Sequence, residues 1–132
     1  VACAAGLASL DLLLQEETQQ HTQRISQRHA AFADHFKALP KVLEVRQRGT
    51  ILAVEFEADG TSYFNKMGDT LYSFALEHGV ILRPLGNIIY VIPPYCITDK
   101  QLDQVYQVIT GMQQLITGTR YFEPPSQTTL HD

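Results

Sequence analysis

From Val1 to about Leu39 the apolar positions fall at helical spacing. A small, apolar opening is followed by the polar stretch QEETQQHTQRISQR, and then Phe32, Phe36 and Leu39 recur at i, i+4 and i+7. Two helices, or one broken helix, are predicted; Ile25 keeps the period through the glutamine-rich part, which reads as a solvated helix face. Pro40 stops the segment. The pattern then switches to alternation in VLEVRQR (Val42 to Arg48) and ILAVEFE (Ile51 to Glu57), where Leu52, Val54 and Phe56 alternate with Ala53 and Glu55. With only Gly49 and Thr50 between them, a hairpin is the natural connection. After the turn-like ADGTS, Met67, Leu71, Phe74 and Ala75 return to helical spacing, and Gly79 offers a C-terminal cap. Val80 to Pro84 and Asn87 to Ile92 read as a second strand pair around the turn PLGN, closed by Pro93 and Pro94. Thr98 with Gln101 forms a capping box ahead of a last helix, whose Leu102, Val105, Ile109, Met112 and Ile116 trace a buried stripe up to Gly118. The tail TRYFEPPSQTTLHD has no period and is expected to be extended. The fold class predicted is α+β, with helices laid on a small antiparallel or mixed sheet.

A chain of 132 residues suits one core. Ten Lys plus Arg against fourteen Asp plus Glu leave a net charge of -4 and no basic cluster, so nucleic acid is not an expected partner. The opening VACAAGLASLDLLL lacks a basic n-region, carries Asp11 and is too short to span a bilayer, so neither membrane insertion nor export is expected. It reads as the interior of a helix with no capping residue ahead of it, and the expectation is a fragment whose upstream sequence is missing. Cys3 and Cys96 make no CxxC pair and no disulfide framework, which points to a reduced, cytoplasmic protein with Cys96 as a packed thiol. His21, His29, His35, His78 and His131 match no metal-ligand spacing and are expected to be solvated helix histidines, with no metal site. GxSxG, the P-loop and the dinucleotide-binding glycine pattern are all lacking.

Arg83 stands out in GVILRPLGNIIYVIPPYC, a lone cation among apolar residues. A hairpin register would put it opposite Ile88, with Tyr90 diagonally displaced on the same face. A guanidinium fork beside a phenol hydroxyl, at the edge of an apolar surface, is matched to a carboxylate. The other reading is an ordinary arginine at a strand end making a surface contact.

The stretches VACAAGLASLDLL, RGTILAVEF and GVILRPLGNIIYVIPPYCIT, taken in order, resemble the C-terminal part of the class III aminotransferases, which have pyridoxal-phosphate fold type I. They are most similar to the biotin-pathway branch of that family. The similarity runs from Val1 to about Ile116 and is most specific in LRPLGNIIYVIPPY. It implies that residues 1–15 are a helix leading from a large domain, 16–118 a C-terminal small domain and 119–132 a tail, in the homodimer of a longer protein. It also implies that Arg83 pairs with the carboxylate of 8-amino-7-oxononanoate, with Tyr90 beside it, and that S-adenosylmethionine gives the amino group. Ornithine-type and acetylornithine-type relatives commonly have an arginine three residues before the proline pair, where this chain has Tyr90. The cofactor implied is pyridoxal 5'-phosphate, but its Schiff-base lysine, pyridine-facing aspartate and phosphate ligands would lie upstream of Val1. Lys37, Lys41, Lys66 and Lys100 match none of them, so this chain alone is expected to hold no cofactor-binding or catalytic residue and to be inactive. Two alternatives stay open: the small domain of another class III enzyme, acting on ω-amino acids, ornithine or acetylornithine, and a free-standing, non-catalytic ligand-binding module.

Overall fold

A computed structural model describes residues 1–58 and 63–118. The predicted tail from residue 119 and most of the ADGTS turn lie outside the described residues. The helical opening divides into α1 (Ala2–Leu13) and α2 (Glu16–Phe36), separated at Gln15, whose extended backbone caps α2. Then come β1 (Val42–Arg48), β2 (Ile51–Phe56), α3 (Tyr63–Glu77), β3 (Ile88–Val91) and α4 (Asp99–Thr117). The strands form one antiparallel sheet in the order β1-β2-β3. The fold is therefore α+β.

Alternation along β2 decides which face is covered. Leu52, Val54 and Phe56 are completely buried, and their neighbours across the sheet, Val45, Ile89 and Val91, lie on the same side. Against that face pack Phe36 of α2, Leu71 and Ala75 of α3, and Leu102, Ile109 and Met112 of α4. Burying a side chain of this size stabilises by about 1.5–3 kcal/mol, so the shared apolar layer dominates the energetics of the domain. Helix α4 begins at the predicted capping box: Thr98 Oγ1 accepts from the Gln101 amide at 3.2 Å, and Gln101 Oε1 accepts from the Thr98 amide at 2.9 Å. It ends at Gly118, whose φ of 75° is a left-handed cap that glycine adopts without strain.

Polar links tie α2 to α4. The guanidinium of Arg24 pairs with Asp99 at the start of α4, and that of Arg28 with Asp103 one turn later. Deeper in, His29 is fully buried, its ring bonded to the Tyr106 hydroxyl and to the carbonyl of Thr50 in the β1–β2 turn. The expectation that all the histidines are solvated fails here: both ring nitrogens find protein partners from elements distant in sequence, and that makes burial affordable. The side chain of Gln113, also buried, donates to the Pro40 carbonyl at 2.7 Å.

The second strand pair is not formed. Ile88–Val91 makes its ladder with β2, and residues 80–84 contribute no strand; the hairpin survives only as the pair Leu85 and Ile88, bonded both ways at 2.8 and 3.1 Å. Val80 is tethered instead to the end of α3, its amide donating to the Ala75 carbonyl at 2.9 Å. This is a local helix-end cap around Gly79, whose φ is 74°, and the chain leaves α3 without joining β3 until Leu85. No residue of α1 is buried, and Leu7, Leu10, Leu12 and Leu13 are exposed along it. No helix among the described residues is long and apolar enough to cross a membrane.

Candidate functional site

Because the ladder stops after Leu85 and Ile88, the segment carrying Arg83 and the strand carrying Tyr90 diverge. Between them lies a cavity of about 260 Å³. Its lining includes the buried Leu82, Val91 and Val105, together with Pro93, Arg83 and Tyr90. The sequence register is thereby corrected. Leu85, not Arg83, pairs with Ile88, and Tyr90 sits across β2 from Ala53 on the sheet face opposite the core. Arg83 and Tyr90 both line the same cleft.

The arginines of the chain divide by what they face. Arg24, Arg28 and Arg46 each lie against carboxylates: Asp99, Asp103, and the pair Glu44 and Glu55 respectively. Arg48 and Arg83 are both exposed and, among the described residues, have neither an ion-pair nor a hydrogen-bond partner; Arg83 lines the cleft. An unneutralised guanidinium at the mouth of an apolar cleft offers two parallel N–H donors to a planar anion, and the hydrocarbon part of such a ligand has a floor to lie on. Tyr90 is exposed and is among the residues that line the same cleft.

What aims Arg83 is the turn after it. Pro84 restricts Arg83 to extended backbone. Gly86, at φ 64°, takes the first central position of the two-residue turn between Leu85 and Ile88, a place that favours glycine. Asn87 occupies the second and is buried; its Nδ2 donates to the Phe56 carbonyl at 2.7 Å, while its own carbonyl accepts from the Phe56 amide at 3.0 Å. Sequence reasoning took Asn87 as the end of the PLGN turn and the start of a strand. The clue to more was a polar side chain set directly before an apolar strand.

Cys96 departs from expectation. It is exposed rather than packed, because it sits in the turn between Pro94 and the Thr98 cap, where it borders a cavity of about 460 Å³ between α1 and this turn. Cys3 is exposed and free as well. Among the described residues no three His, Cys, Asp or Glu side chains converge as metal ligands would.

The family model for Aminotransferase class-III matches residues 1–112. The chain belongs to the class III aminotransferase family. Adenosylmethionine-8-amino-7-oxononanoate aminotransferase of Synechococcus elongatus is 35% identical over 112 residues, which cover 85% of this chain and 26% of that protein. Acetylornithine aminotransferase 1 of Bordetella bronchiseptica is 27% identical over 114 residues, covering 85% of this chain and 27% of its own length. In fold, the chain superposes on a PLP-bound aminotransferase mutant from Vibrio fluvialis with a TM-score of 0.75 at 21% identity, over 88% of this chain and 27% of that one. The chain thus spans about a quarter of the length of these relatives.

Pyridoxal phosphate, the cofactor of the family, is held through a lysine in an enclosed site. Here Lys37 pairs with Asp34 and Lys41 with Glu57 at the surface, and Lys66 and Lys100 are exposed on α3 and α4. None is desolvated as such a lysine requires. The lysines of this chain do not fit that group.

Proposed function

We propose that this chain is the C-terminal part of a longer pyridoxal-phosphate-dependent aminotransferase of biotin synthesis, which moves an amino group from S-adenosylmethionine to 8-amino-7-oxononanoate to give 7,8-diaminononanoate. In this reading residues 16–118 are the small domain, 1–15 lead in from a large domain that holds the cofactor, and 119–132 are a tail. The whole enzyme is a cytoplasmic homodimer, and the 132-residue chain by itself is inactive.

The observation that carries the reading is the unpartnered Arg83 beside Tyr90 at the mouth of an apolar cleft. The acceptor is an aliphatic keto acid with its carboxylate far from the ketone. Arg83 holds that carboxylate in a bidentate pair, Tyr90 adds a hydroxyl, and the cleft receives the methylenes next to the carboxylate. Fixing the remote end of the substrate orients the ketone without any group here touching it, so binding energy distant from the reaction serves the reaction. The higher identity to the oxononanoate enzyme than to the acetylornithine enzyme supports this substrate, as does Tyr90 in place of an arginine.

The test is Arg83→Ala in the longer enzyme. The KM for 8-amino-7-oxononanoate is expected to rise by about tenfold or more, the loss of a charge-assisted pair, with the KM for S-adenosylmethionine unchanged. An equal rise in both would sink the assignment. A second reading, another class III transaminase, gains support if acetylornithine is turned over faster than S-adenosylmethionine.

A further inference from the structure

The carboxylate site proposed above has a guanidinium at its rim but no ladder beneath it. Arg83 projects from a segment that is joined to the sheet only after its own position, at Leu85 and Ile88. Its placement therefore depends on whatever holds that turn. Two features do so from opposite sides. On one, Asn87 grips the last residue of β2: its carbonyl takes the Phe56 amide and its side-chain amide takes the Phe56 carbonyl, in the place where a further strand residue would have donated. On the other, α3 approaches closely at Gly68, where an added Cβ would lie 3.4 Å from the Gly86 carbonyl oxygen and 3.9 Å from Pro84 Cβ.

We propose that Asn87 is a positioning residue for the carboxylate site: by clamping the turn to the end of β2 it sets where the Arg83 guanidinium stands over the cleft. The proposal rests on the reading of Arg83 as the carboxylate ligand. Asn87 itself touches no substrate. Its side chain is buried against the sheet, and its effect passes through three bonded residues, Gly86, Leu85 and Pro84, to Arg83. Leucine or alanine at this position would leave the Phe56 carbonyl unpaired and free the turn to shift, and an ångström of misplacement in an orienting group can cost about a hundredfold in rate.

The experiment is a double-mutant cycle in the longer enzyme loaded with cofactor, comparing wild type, Asn87→Ala, Arg83→Ala and the double variant. KM for 8-amino-7-oxononanoate, KM for the amino donor and kcat are read for each, with thermal unfolding as the measure of folding. Asn87→Ala is expected to raise the acceptor KM about fivefold or more with the donor KM unchanged, and to add less than about twofold once Arg83 is already alanine. The same rise in the Arg83→Ala background, or a fall in kcat with both KM values moving together, would show that Asn87 only supports the fold and overturn the proposal. If Arg83→Ala leaves the acceptor KM unchanged, the carboxylate reading itself falls and takes this one with it. Should Asn87→Ala fail to fold, Gly68→Val addresses the same turn from α3, because a branched side chain has no room beyond Cβ against the Gly86 carbonyl. Its acceptor KM must then rise selectively and depend on Arg83; a Gly68→Val enzyme with unaltered acceptor KM overturns the proposal.

Discussion

The hydroxyl of Tyr106 donates a 2.7 Å hydrogen bond to Nδ1 of His29, joining α4 to α2. The direction follows from the other end of the ring. Nε2 lies 3.1 Å from the Thr50 carbonyl, which can only accept, so Nε2 carries the proton and Nδ1 is bare. The tyrosine ring also stacks on Phe32, at 4.4 Å between centroids. Tyr106→Phe keeps that stacking and removes the hydroxyl, with its donation to His29 and its contact with Arg28. It is expected to cost about 1–3 kcal/mol, the penalty for leaving a buried acceptor unpaired, measured as a lower urea midpoint with unchanged slope.

The same pair predicts how stability depends on pH. Burial lowers the pKa of His29 from its ordinary 6.5, partly offset by the bond to Thr50. Between the lowered native value and 6.5 the unfolded chain binds more protons than the folded one, so stability is full above 6.5 and is lost as pH falls below it. Burial likewise pushes the Tyr106 hydroxyl from 10.0 up to about 12, against the pull of nearby Arg28. The unfolded tyrosine ionises first, so stability falls again as pH rises from 10.0 towards about 12. Urea unfolding across pH should show both limbs, with His29→Gln removing the acidic one.

Thr98→Ala removes the hydroxyl that accepts from the Gln101 amide and breaks the reciprocal cap of α4. A loss of about 0.5–2 kcal/mol is expected, because the helix is packed along its length and cannot fray cheaply. Asp in place of Thr98 should recover most of it, since a carboxylate caps equally well and favours the helix N-terminus; thermal unfolding of the three chains decides.

Arg83→Lys separates charge from geometry in the longer enzyme. Lysine retains the positive charge but not the planar fork, so the acceptor KM is expected to fall between those of wild type and Arg83→Ala. A lysine variant equal to wild type would mean that the cleft needs only a point charge.

Much of this architecture was readable where local chemistry and tertiary packing agree. The β1–β2 hairpin follows from alternation around Gly49 and Thr50, and α4 from its cap, its stripe and Gly118. The errors share a cause. Residues 80–84 have strand composition, yet β3 makes its ladder with β2, far upstream, and these residues form no strand. His29 reads as a helix-surface residue because its partners, Thr50 and Tyr106, are far along the chain. For the site, Arg83 and Tyr90 were singled out by residue type alone, but the cleft they line lies where the ladder ends after Leu85 and Ile88, which periodicity does not report.

The links between α2 and α4 also bear on the order of folding. Arg24 to Asp99 and His29 to Tyr106 join positions 75 and 77 residues apart, whereas β1 meets β2 across a tight turn. Closing a long loop costs entropy before its contacts reward it, so α4 docks after the hairpin has formed. A two-stranded hairpin is marginal alone, and the helix that arrives last supplies the apolar cover that makes it persist. Early and late parts are thus mutually dependent, and urea unfolding followed at the sheet and at α4 is expected to give one coincident transition.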